Sequence, residues 1–386
     1  MMGKFRKGMA ALTAMTMAAV MLPAGAAQAA NVRTLTIETK VAGADSQDLQ
    51  NMQIEYYVYM DSALYDGAGE IAGFDKIPDG TIVAGSVFKD GLARYTTTPG
   101  KKLVLPFTVA DADKYGYEVC VVQPINVDVS PADPGMDPCN AALLYAGIGE
   151  GRMTPNLFWG TLDRDKTETV TFSKRFRDVN ASTPHLDDVD WLSYTGISTG
   201  WKEADGTTTF RGMSPVVRQD MAAFLYRLAK RHCIADICNT GADSANWTPW
   251  EPSAADWKRF ADVNKSTPHA KEILWLAHAG ISEGWKEKDG SSTFRGMDTV
   301  KRQDMAAFLK RLAAKAGKGG NVKPKTDFTD VTAGTPHKAE IQWLGGSGIS
   351  EGYKNANSTW RFEGMTSVYR QDMAAFIHRL DNLIAK

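Results

Sequence analysis

Residues 216–224 read VVRQDMAAF, and the same stretch returns as VKRQDMAAF at 300–308 and as VYRQDMAAF at 368–376. Apolar residues in and just after the first copy follow the spacing i, i+3, i+4 and i+7: Met221, Phe224, Leu225 and Leu228. This spacing predicts a helix with one buried stripe. The C-terminal half is therefore expected to contain three copies of one amphipathic helix.

The repeat extends well beyond this helix. Three units of 53 residues align without a gap: 176–228, 260–312 and 328–380. They share F-x-D-V, T-P-H, W-L, G-I-S-x-G, F-x-G-M, the helix above and a closing R-L. Thr183 and Pro184 predict a helix start, with Thr as N-cap and Pro at the first helical position, and Gly196 predicts its end. Each unit should fold as helix, loop and helix, and bury a face against its neighbours.

This frame resembles the S-layer homology repeat, in an actinobacterial-type variant. The residues that carry the resemblance in the first unit are Phe176, Asp178, Val179, Gly196, Ile197, Gly200, Phe210, Val216, Arg218 and Met221 to Leu225. With the equivalents in the later units it covers about 205 residues. The resemblance implies a pseudo-threefold spindle with one helix of each repeat in a central bundle. It also implies grooves between repeats that bind secondary cell-wall polysaccharide, often bearing acidic pyruvyl groups.

The sequence departs from the family at the start of the second helix. The family reads Thr-Arg-Ala-Glu there, and its Arg is implicated in ligand contact. Here Arg is kept three times, Ala-Glu has become Gln-Asp, and Thr is replaced by Val217, Lys301 and Tyr369. The replacement removes one helix cap and one ligand hydroxyl, which argues against the usual pyruvylated ligand.

Three arginines and three loop aromatics are the candidate polymer-binding residues: Arg218, Arg302, Arg370, Trp201, Trp285 and Tyr353. The acids expected to support them are Asp220, Asp304 and Asp372. The arginines would clamp a carboxylate or phosphate, or else pair with these acids or cap a neighbouring loop. The aromatics would stack on a sugar face, or else anchor the loop on its own repeat.

The histidines of T-P-H suggest a metal site, because three symmetric imidazoles would suit zinc. They are His185, His269 and His337. No acidic or Cys ligands accompany them in the pattern, so no metal and no cofactor is expected. They are predicted to lie in the first helical turn on the core face, bonded to a backbone carbonyl. The tryptophans that flank the same face are predicted to be structural: Trp191, Trp275 and Trp343.

Four cysteines fall as two local pairs. Pairing of nearest neighbours predicts the disulfides Cys120–Cys139 and Cys233–Cys238, and four buried thiols are the alternative. The connector at 231–259 is rich in tryptophan and is expected to pack on the helical units, closed by the second disulfide. The connector at 314–327 is rich in glycine and is expected to be a flexible linker.

The N-terminal half differs in character. Residues 1–30 combine a basic start, a short apolar stretch and Ala27-Gln28-Ala29, which together predict a secretory signal peptide. Residues 31–172 show period-2 alternation, as in residues 34–39 and 54–59, with regular Gly, Pro and Asp. This pattern predicts a β-sandwich of roughly seven strands. Residues 115–119 are similar, over a few strands, to pilin-type and collagen-adhesin B-type sandwich domains.

These expectations describe an α+β multidomain protein. An all-β sandwich precedes a mainly α-helical region of three repeats. The predicted segments are 1–30 signal peptide, 31–172 β-sandwich, 173–230 first repeat, 231–259 aromatic connector, 260–313 second repeat, 314–327 linker and 328–386 third repeat.

Charge separates the two halves. Residues 31–172 hold 11 Lys and Arg against 20 Asp and Glu, a net of −9, whereas residues 173–386 hold 30 against 25, a net of +5. The basic half favours an anionic partner, and export argues against nucleic acid. No stretch after residue 30 is apolar enough to predict membrane insertion.

The sequence therefore predicts a secreted protein of the cell surface, held noncovalently on anionic cell-wall polysaccharide. Its sandwich would serve as an adhesion or binding domain for a host or surface glycan or protein. No catalytic motif occurs, such as Gly-x-Ser-x-Gly, His-Glu-x-x-His or a Walker loop, so an enzyme is not expected. Two alternatives stay open, a secreted glycan-active enzyme with a wall anchor and a protein-interaction scaffold.

Overall fold

A computed structural model describes residues 32–42, 49, 52–65, 71–108, 115–122, 124–130, 158–235, 237–238 and 250–386. The predicted signal peptide lies outside the described residues. Across the ranges just given, no helix is both long and apolar enough to span a bilayer.

The N-terminal half is built from two β-sheets. Its strands are β1 (Arg33–Ala42), β2 (Ile54–Tyr65), β3 (Ile71–Lys76), β4 (Ile82–Val83), β5 (Ser86–Val87), β6 (Leu92–Thr97), β7 (Lys102–Phe107), β8 (Gly116–Val122), β9 (Val127–Ser130), β10 (Phe158–Thr161) and β11 (Lys166–Lys174). One sheet has the order β7-β1-β11-β9, and the other has β10-β8-β2-β3 with β6 also paired to β2. Strands β4 and β5 form a separate hairpin. The described residues of this half thus contain eleven strands, more than the expected seven, and two of them, β4 and β5, have only two residues and leave no alternation to read.

The core of the β-region follows the period-2 pattern. In β1, Leu35, Ile37 and Thr39 point inward and are buried, while their neighbours are partly exposed. Strand β11 pairs with β1 in parallel, with Leu35 opposite Lys166 and Val41 opposite Phe172. The first and last strands of the region therefore lie side by side, and the chain leaves β11 directly into the first helical unit.

Buried polar contacts join the β-region to the helical units. The side-chain amide of Asn126 donates to the carbonyl oxygens of Phe176 and Val179 at 2.9 and 3.0 Å. The backbone N–H of Asn126 donates to Asp190 Oδ1 at 2.7 Å, and Arg175 Nη1 lies 3.2 Å from the same oxygen. Because Asn126 and Asp190 are both buried, breaking these bonds would leave polar groups without water.

In the described residues of the C-terminal half, the chain forms six α-helices and three short hairpins. The helices are α1 (Leu186–Tyr194), α2 (Arg218–Arg231), α3 (Ala270–His278), α4 (Arg302–Lys315), α5 (Lys338–Gly346) and α6 (Arg370–Ala385). The hairpins are β12–β13 (Trp201–Lys202, Thr208–Thr209), β14–β15 (Trp285–Lys286, Ser292–Thr293) and β16–β17 (Tyr353–Lys354, Trp360–Arg361). The order helix, hairpin, helix occurs in each stretch of 53 residues. The stripe of α2 is buried as expected, at Met221, Phe224, Leu225 and Leu228.

Motif residues fold each unit onto itself. In the second unit, both carboxylate oxygens of Asp262 accept backbone N–H bonds from Phe294 and Arg295 at 2.7 Å. The rings of Phe260 and Phe294 pack at 5.6 Å. Gly284 has φ +69°, and an added Cβ would lie 2.3 Å from the carbonyl oxygen of Thr293. The first and third units repeat these contacts through Asp178 and Asp330.

Other motif residues hold neighbouring units together. The backbone N–H of Val216 donates to Val368 O, that of Val368 to Val300 O, and that of Val300 to Val216 O, all at 2.8–2.9 Å. These three bonds close a ring. Helix packing is cyclic too, because α1 packs on α6, α3 on α2 and α5 on α4. The first helix of each unit thus packs against the second helix of a neighbouring unit.

The start of each first helix differs from the expectation. The first helix begins at Leu186, and His185 is its N-cap in the left-handed conformation with φ 58°. Thr183 Oγ1 instead accepts from the backbone N–H of Asn180 at 2.9 Å, before the helix. His269 and His337 take the same left-handed N-cap position. The Thr-Pro pair therefore lies in the turn before the helix and not in its first turn.

Described residues of both connectors pack against the helical units. Cys233 and Cys238 form a disulfide, as predicted, and Ile234 and Ile237 within its loop are buried in the helical core. Cys139 lies outside the described residues. The flexibility of 314–327 stays a prediction; within this connector, Gly319 O accepts from Trp343 Nε1 at 2.9 Å and a Cβ at Gly319 would lie 2.8 Å from that ring.

Candidate functional site

The three arginines at the starts of α2, α4 and α6 reach into the next unit. Arg218 Nε donates to Phe294 O at 2.9 Å, and its Nη2 lies 3.4 Å from Ser282 Oγ. Arg302 makes the same contacts with Phe362 O and Ser350, and Arg370 closes the cycle with Phe210 O and Ser198. Their exposed fractions are 5%, 4% and 4%. Of the alternatives open at the sequence level, the capping of a neighbouring loop thus occurs at all three arginines, and Arg370 also pairs with an aspartate, since its Nη1 lies 3.7 Å from Asp220 Oδ2.

Each arginine also stacks on a loop aromatic of the next unit. The Cζ atom of Arg218 lies 4.0 Å from the ring centre of Trp285, that of Arg302 4.8 Å from Tyr353, and that of Arg370 3.9 Å from Trp201. Such stacking is favourable between a guanidinium and an electron-rich ring. The six candidate residues therefore meet as three arginine–aromatic pairs, each across a boundary between units.

A histidine and an aspartate complete each arrangement. His337 Nε2 lies 3.7 Å from Asp304, His185 Nε2 3.7 Å from Asp372, and His269 Nε2 4.0 Å from Asp220. The predicted supporting acids thus face a histidine of another unit. The prediction that these histidines lie on the core face is wrong, because about a third of each side chain is exposed.

Two of these arrangements line cavities, which we call grooves. One, of about 230 Å³, is lined by Arg218, Trp285, Asp304, Arg311 and His337. The other, of about 350 Å³, is lined by Arg302, Tyr353, Asp372, Arg379 and His185. Each groove draws residues from all three units. Within the described part of the chain, no group of three or more His, Cys, Asp and Glu side chains is arranged to hold a metal ion.

Burial changes the acidity of the arginines without removing their charge. Desolvation lowers the pKa of Arg218 and of Arg370 to about 10, and nearby aspartates oppose the shift. The pKa of Arg302 is lowered for the same reason. All three guanidinium groups therefore stay positive at neutral pH, in surroundings where a charge interacts strongly with an anion.

Several residues of the grooves were missed from sequence. Arg227, Arg311 and Arg379 donate through Nη1 to the carbonyl oxygens of Ile197, Ile281 and Ile349 at 2.7–2.9 Å. They are the Arg of the closing R-L, which reads in sequence as a solvent-facing charge. The Ser of G-I-S-x-G was missed as well. Their recurrence in all three units was the available signal.

Trp191 lies at the seam between the first and third units. Its ring stacks on His378 at 4.3 Å. His378 Nδ1 is 2.7 Å from Asp188 Oδ1, and His185 Nδ1 is 3.4 Å from Asp188 Oδ2. Trp275 and Trp343 are buried, in line with the structural role expected for all three tryptophans.

This seam predicts a pH dependence of stability. Burial alone would raise the pKa of Asp188, but the hydrogen bonds and charges of His185 and His378 outweigh it and hold the pKa below the usual 3.8. A lowered folded pKa contributes stability that is present above about pH 4 and is lost as pH falls through the folded value. Asp188→Asn should therefore reduce the free energy of unfolding at pH 6 and flatten its decline below pH 4.

Urea unfolding between pH 6 and pH 2 measures this effect. The control is Asp327→Asn, an exposed carboxylate away from the seam. Parallel pH profiles for Asp188→Asn and the unsubstituted chain would contradict the assignment.

One part of the chain matches a known protein family. Residues 259–306 match the S-layer homology domain. The second unit is thus similar to an S-layer homology domain. The match spans the Phe260–Phe294 pair, Trp285 and Arg302, which are the residues that build the unit and its side of two grooves. Such a domain marks a protein associated with the cell surface or cell wall. No curated protein matches the chain.

The similarity of the chain to solved structures is weak. A pilus-presented adhesin (Cpa) is 15% identical with a TM-score of 0.21, over 38% of this chain and 28% of that one. The major pilin protein T-13 from Streptococcus pyogenes is 9% identical with a TM-score of 0.19, over 37% of this chain and 44% of that one. The chain thus spans less than half the length of either protein. A likeness at this level carries no conclusion about what the β-region does.

Proposed function

We propose that all three units are S-layer homology repeats arranged as a pseudo-threefold spindle. In this proposal the spindle holds a secreted protein noncovalently at the cell wall by binding an anionic secondary wall polysaccharide. The observation that carries the proposal is the arginine–aromatic pair at each boundary between units, which occurs three times with the same partners. A flat ring beside a fixed positive charge suits a sugar that bears an acidic group.

We assign a role in ligand binding to each group in a groove. The hydrogen bonds of Arg218 and Arg302 engage Nε and Nη2, so Nη1 is the atom we expect to meet the anion. The loop aromatic would take the apolar face of the pyranose ring. The aspartate beside it would accept sugar hydroxyls, since a carboxylate is a strong acceptor.

The missing Thr of the family has a structural substitute. The N-cap Val217 makes no side-chain cap. The backbone N–H groups of Arg218 and Gln219 instead donate to the carbonyl oxygens of Asp298 and Gly296 in the next unit, both at 2.9 Å. The start of the helix is therefore satisfied without a Thr hydroxyl, and this hydroxyl is absent from the groove. We propose an anionic ligand without requiring a pyruvyl group.

The β-region would then be displayed outward as a binding or adhesion domain. The buried contacts of Asn126 support this arrangement, because they fix the sandwich to the first unit instead of leaving it on a loose tether.

Sedimentation of the purified chain with isolated cell walls tests the proposal. We expect binding at low ionic strength that weakens steadily as salt is raised, because charges exposed to solvent are screened. Failure to co-sediment at low salt would overturn the anchoring function. Binding that does not respond to salt would overturn the anionic ligand.

A further inference from the structure

A basic cleft lies beside the second unit, outside the grooves already described. It has a volume of about 680 Å³. Its lining includes Lys258 and Arg259 from the connector, Lys286 from β14, and Ser291 and Ser292 from the following turn and β15. Lys258, Arg259 and Lys286 are all exposed. Three cations around one concave surface make a region of positive potential that attracts an anion.

The other two units do not offer the same cleft. Lys174 and Arg175 occupy the equivalent positions before the first unit, but Arg175 is tied to Asp128 and Asp190 and only 11% of its side chain is exposed. Before the third unit the equivalent residues are Thr326 and Asp327. The pair of accessible cations is therefore a property of the second unit, created by the connector that enters it.

The cleft adjoins one groove. Glu283 and Gly284 line both the cleft and the groove that contains Arg218 and Trp285. The two spaces therefore meet at these two residues. An extended chain that crosses them could lie in both spaces at once, whereas a single sugar would occupy only one.

We propose that this cleft binds a second anionic group of the polymer held in the adjoining groove. The polymer would run from Arg218 and Trp285 over Gly284 to Lys258, Arg259 and Lys286. The group would be a phosphate or a carboxylate, since the Arg fork and the Lys charges suit both and the hydroxyls of Ser291 and Ser292 can donate to either. Glu283 would accept hydroxyls of the sugar between the two anionic groups. The inference rests on the proposed function and adds to it the length and charge spacing of the ligand.

The test measures the affinity of the full chain for poly(glycerol phosphate), for polygalacturonate and for neutral dextran at low salt. The variants are Lys258→Gln with Arg259→Gln, and Lys286→Gln alone. Lys202→Gln and Lys354→Gln are matched controls, because these exposed lysines occupy the position of Lys286 in the other units. The polyanion that the unsubstituted chain binds identifies phosphate or carboxylate as the group.

We expect Lys286→Gln to weaken binding about threefold and the double variant about tenfold, with both controls within about twofold of the unsubstituted chain. The double variant should also lose part of the salt dependence. A double variant that binds as tightly as the unsubstituted chain would overturn the inference. If Trp285→Leu weakens binding in that case, the proposed function survives without it. Binding to neither polyanion would also overturn the inference, and wall sedimentation would then decide the proposed function separately.

Discussion

Leucine at Trp201, Trp285 and Tyr353 together is expected to weaken association with isolated cell walls by about a hundredfold. Each substitution removes an aromatic face that would stack on a sugar, and also the ring on which the arginine of the neighbouring unit rests. Leucine keeps an apolar side chain at each position, so we expect the fold to be retained. A binding isotherm from sedimentation, with circular dichroism of each variant, gives the measurement.

The repeats supply a matched control. Met213, Met297 and Met365 also occur once in each unit and are 66%, 71% and 67% exposed. They do not line either measured groove. Alanine at all three should leave wall association unchanged. If the folded leucine variant binds as tightly as the methionine control, the grooves are not the binding site and the scaffold interpretation gains support.

Gly284→Ala is expected to destabilise the helical region by about 3 kcal/mol. Two costs combine at this residue. Its φ of +69° disfavours any L side chain, and the new Cβ would lie 2.3 Å from Thr293 O and 2.6 Å from the Phe260 ring. The backbone oxygen cannot move away without opening the β14–β15 hairpin. Urea unfolding followed by near-UV circular dichroism measures the loss.

Gly290→Ala separates the two costs. Gly290 has φ +85°, but nothing lies within 4 Å of an added Cβ. It should lose only about 1 kcal/mol, the cost of the left-handed conformation. Equal losses for the two variants would show that close packing around Gly284 is not what requires glycine in G-I-S-x-G.

The sequence predicts what lies within one repeat better than what lies between repeats. The buried stripe of α2 follows from the spacing of Met221, Phe224, Leu225 and Leu228, because helical periodicity is a local property. The partner of Arg218 is not local, since Phe294 lies 76 residues away. Because the three units share the same motifs, the sequence does not indicate which neighbouring unit each motif residue contacts. The arginines and aromatics were therefore found as candidates, while their pairing across units was not.

The positions of the histidine side chains could not be predicted from the sequence either. Their spacing from Val189 and its equivalents places them on the core face if the helix starts at Thr-Pro. The left-handed conformation of His185 turns the side chain away from that face and toward Asp372 of the third unit. Left-handed residues other than glycine are uncommon and leave no periodic signal. Gly319 in the connector at 314–327 is a related case, since its close packing against Trp343 leaves no signal in a glycine-rich stretch.

If the helical region recognises a charged polymer of the wall, the purified chain should bind intact cell walls strongly and in a salt-sensitive way. Binding to the same walls stripped of secondary polymer should be almost completely lost, and the released polymer should compete for the chain. Equal binding to intact and stripped walls would show that the helical region does not recognise this polymer.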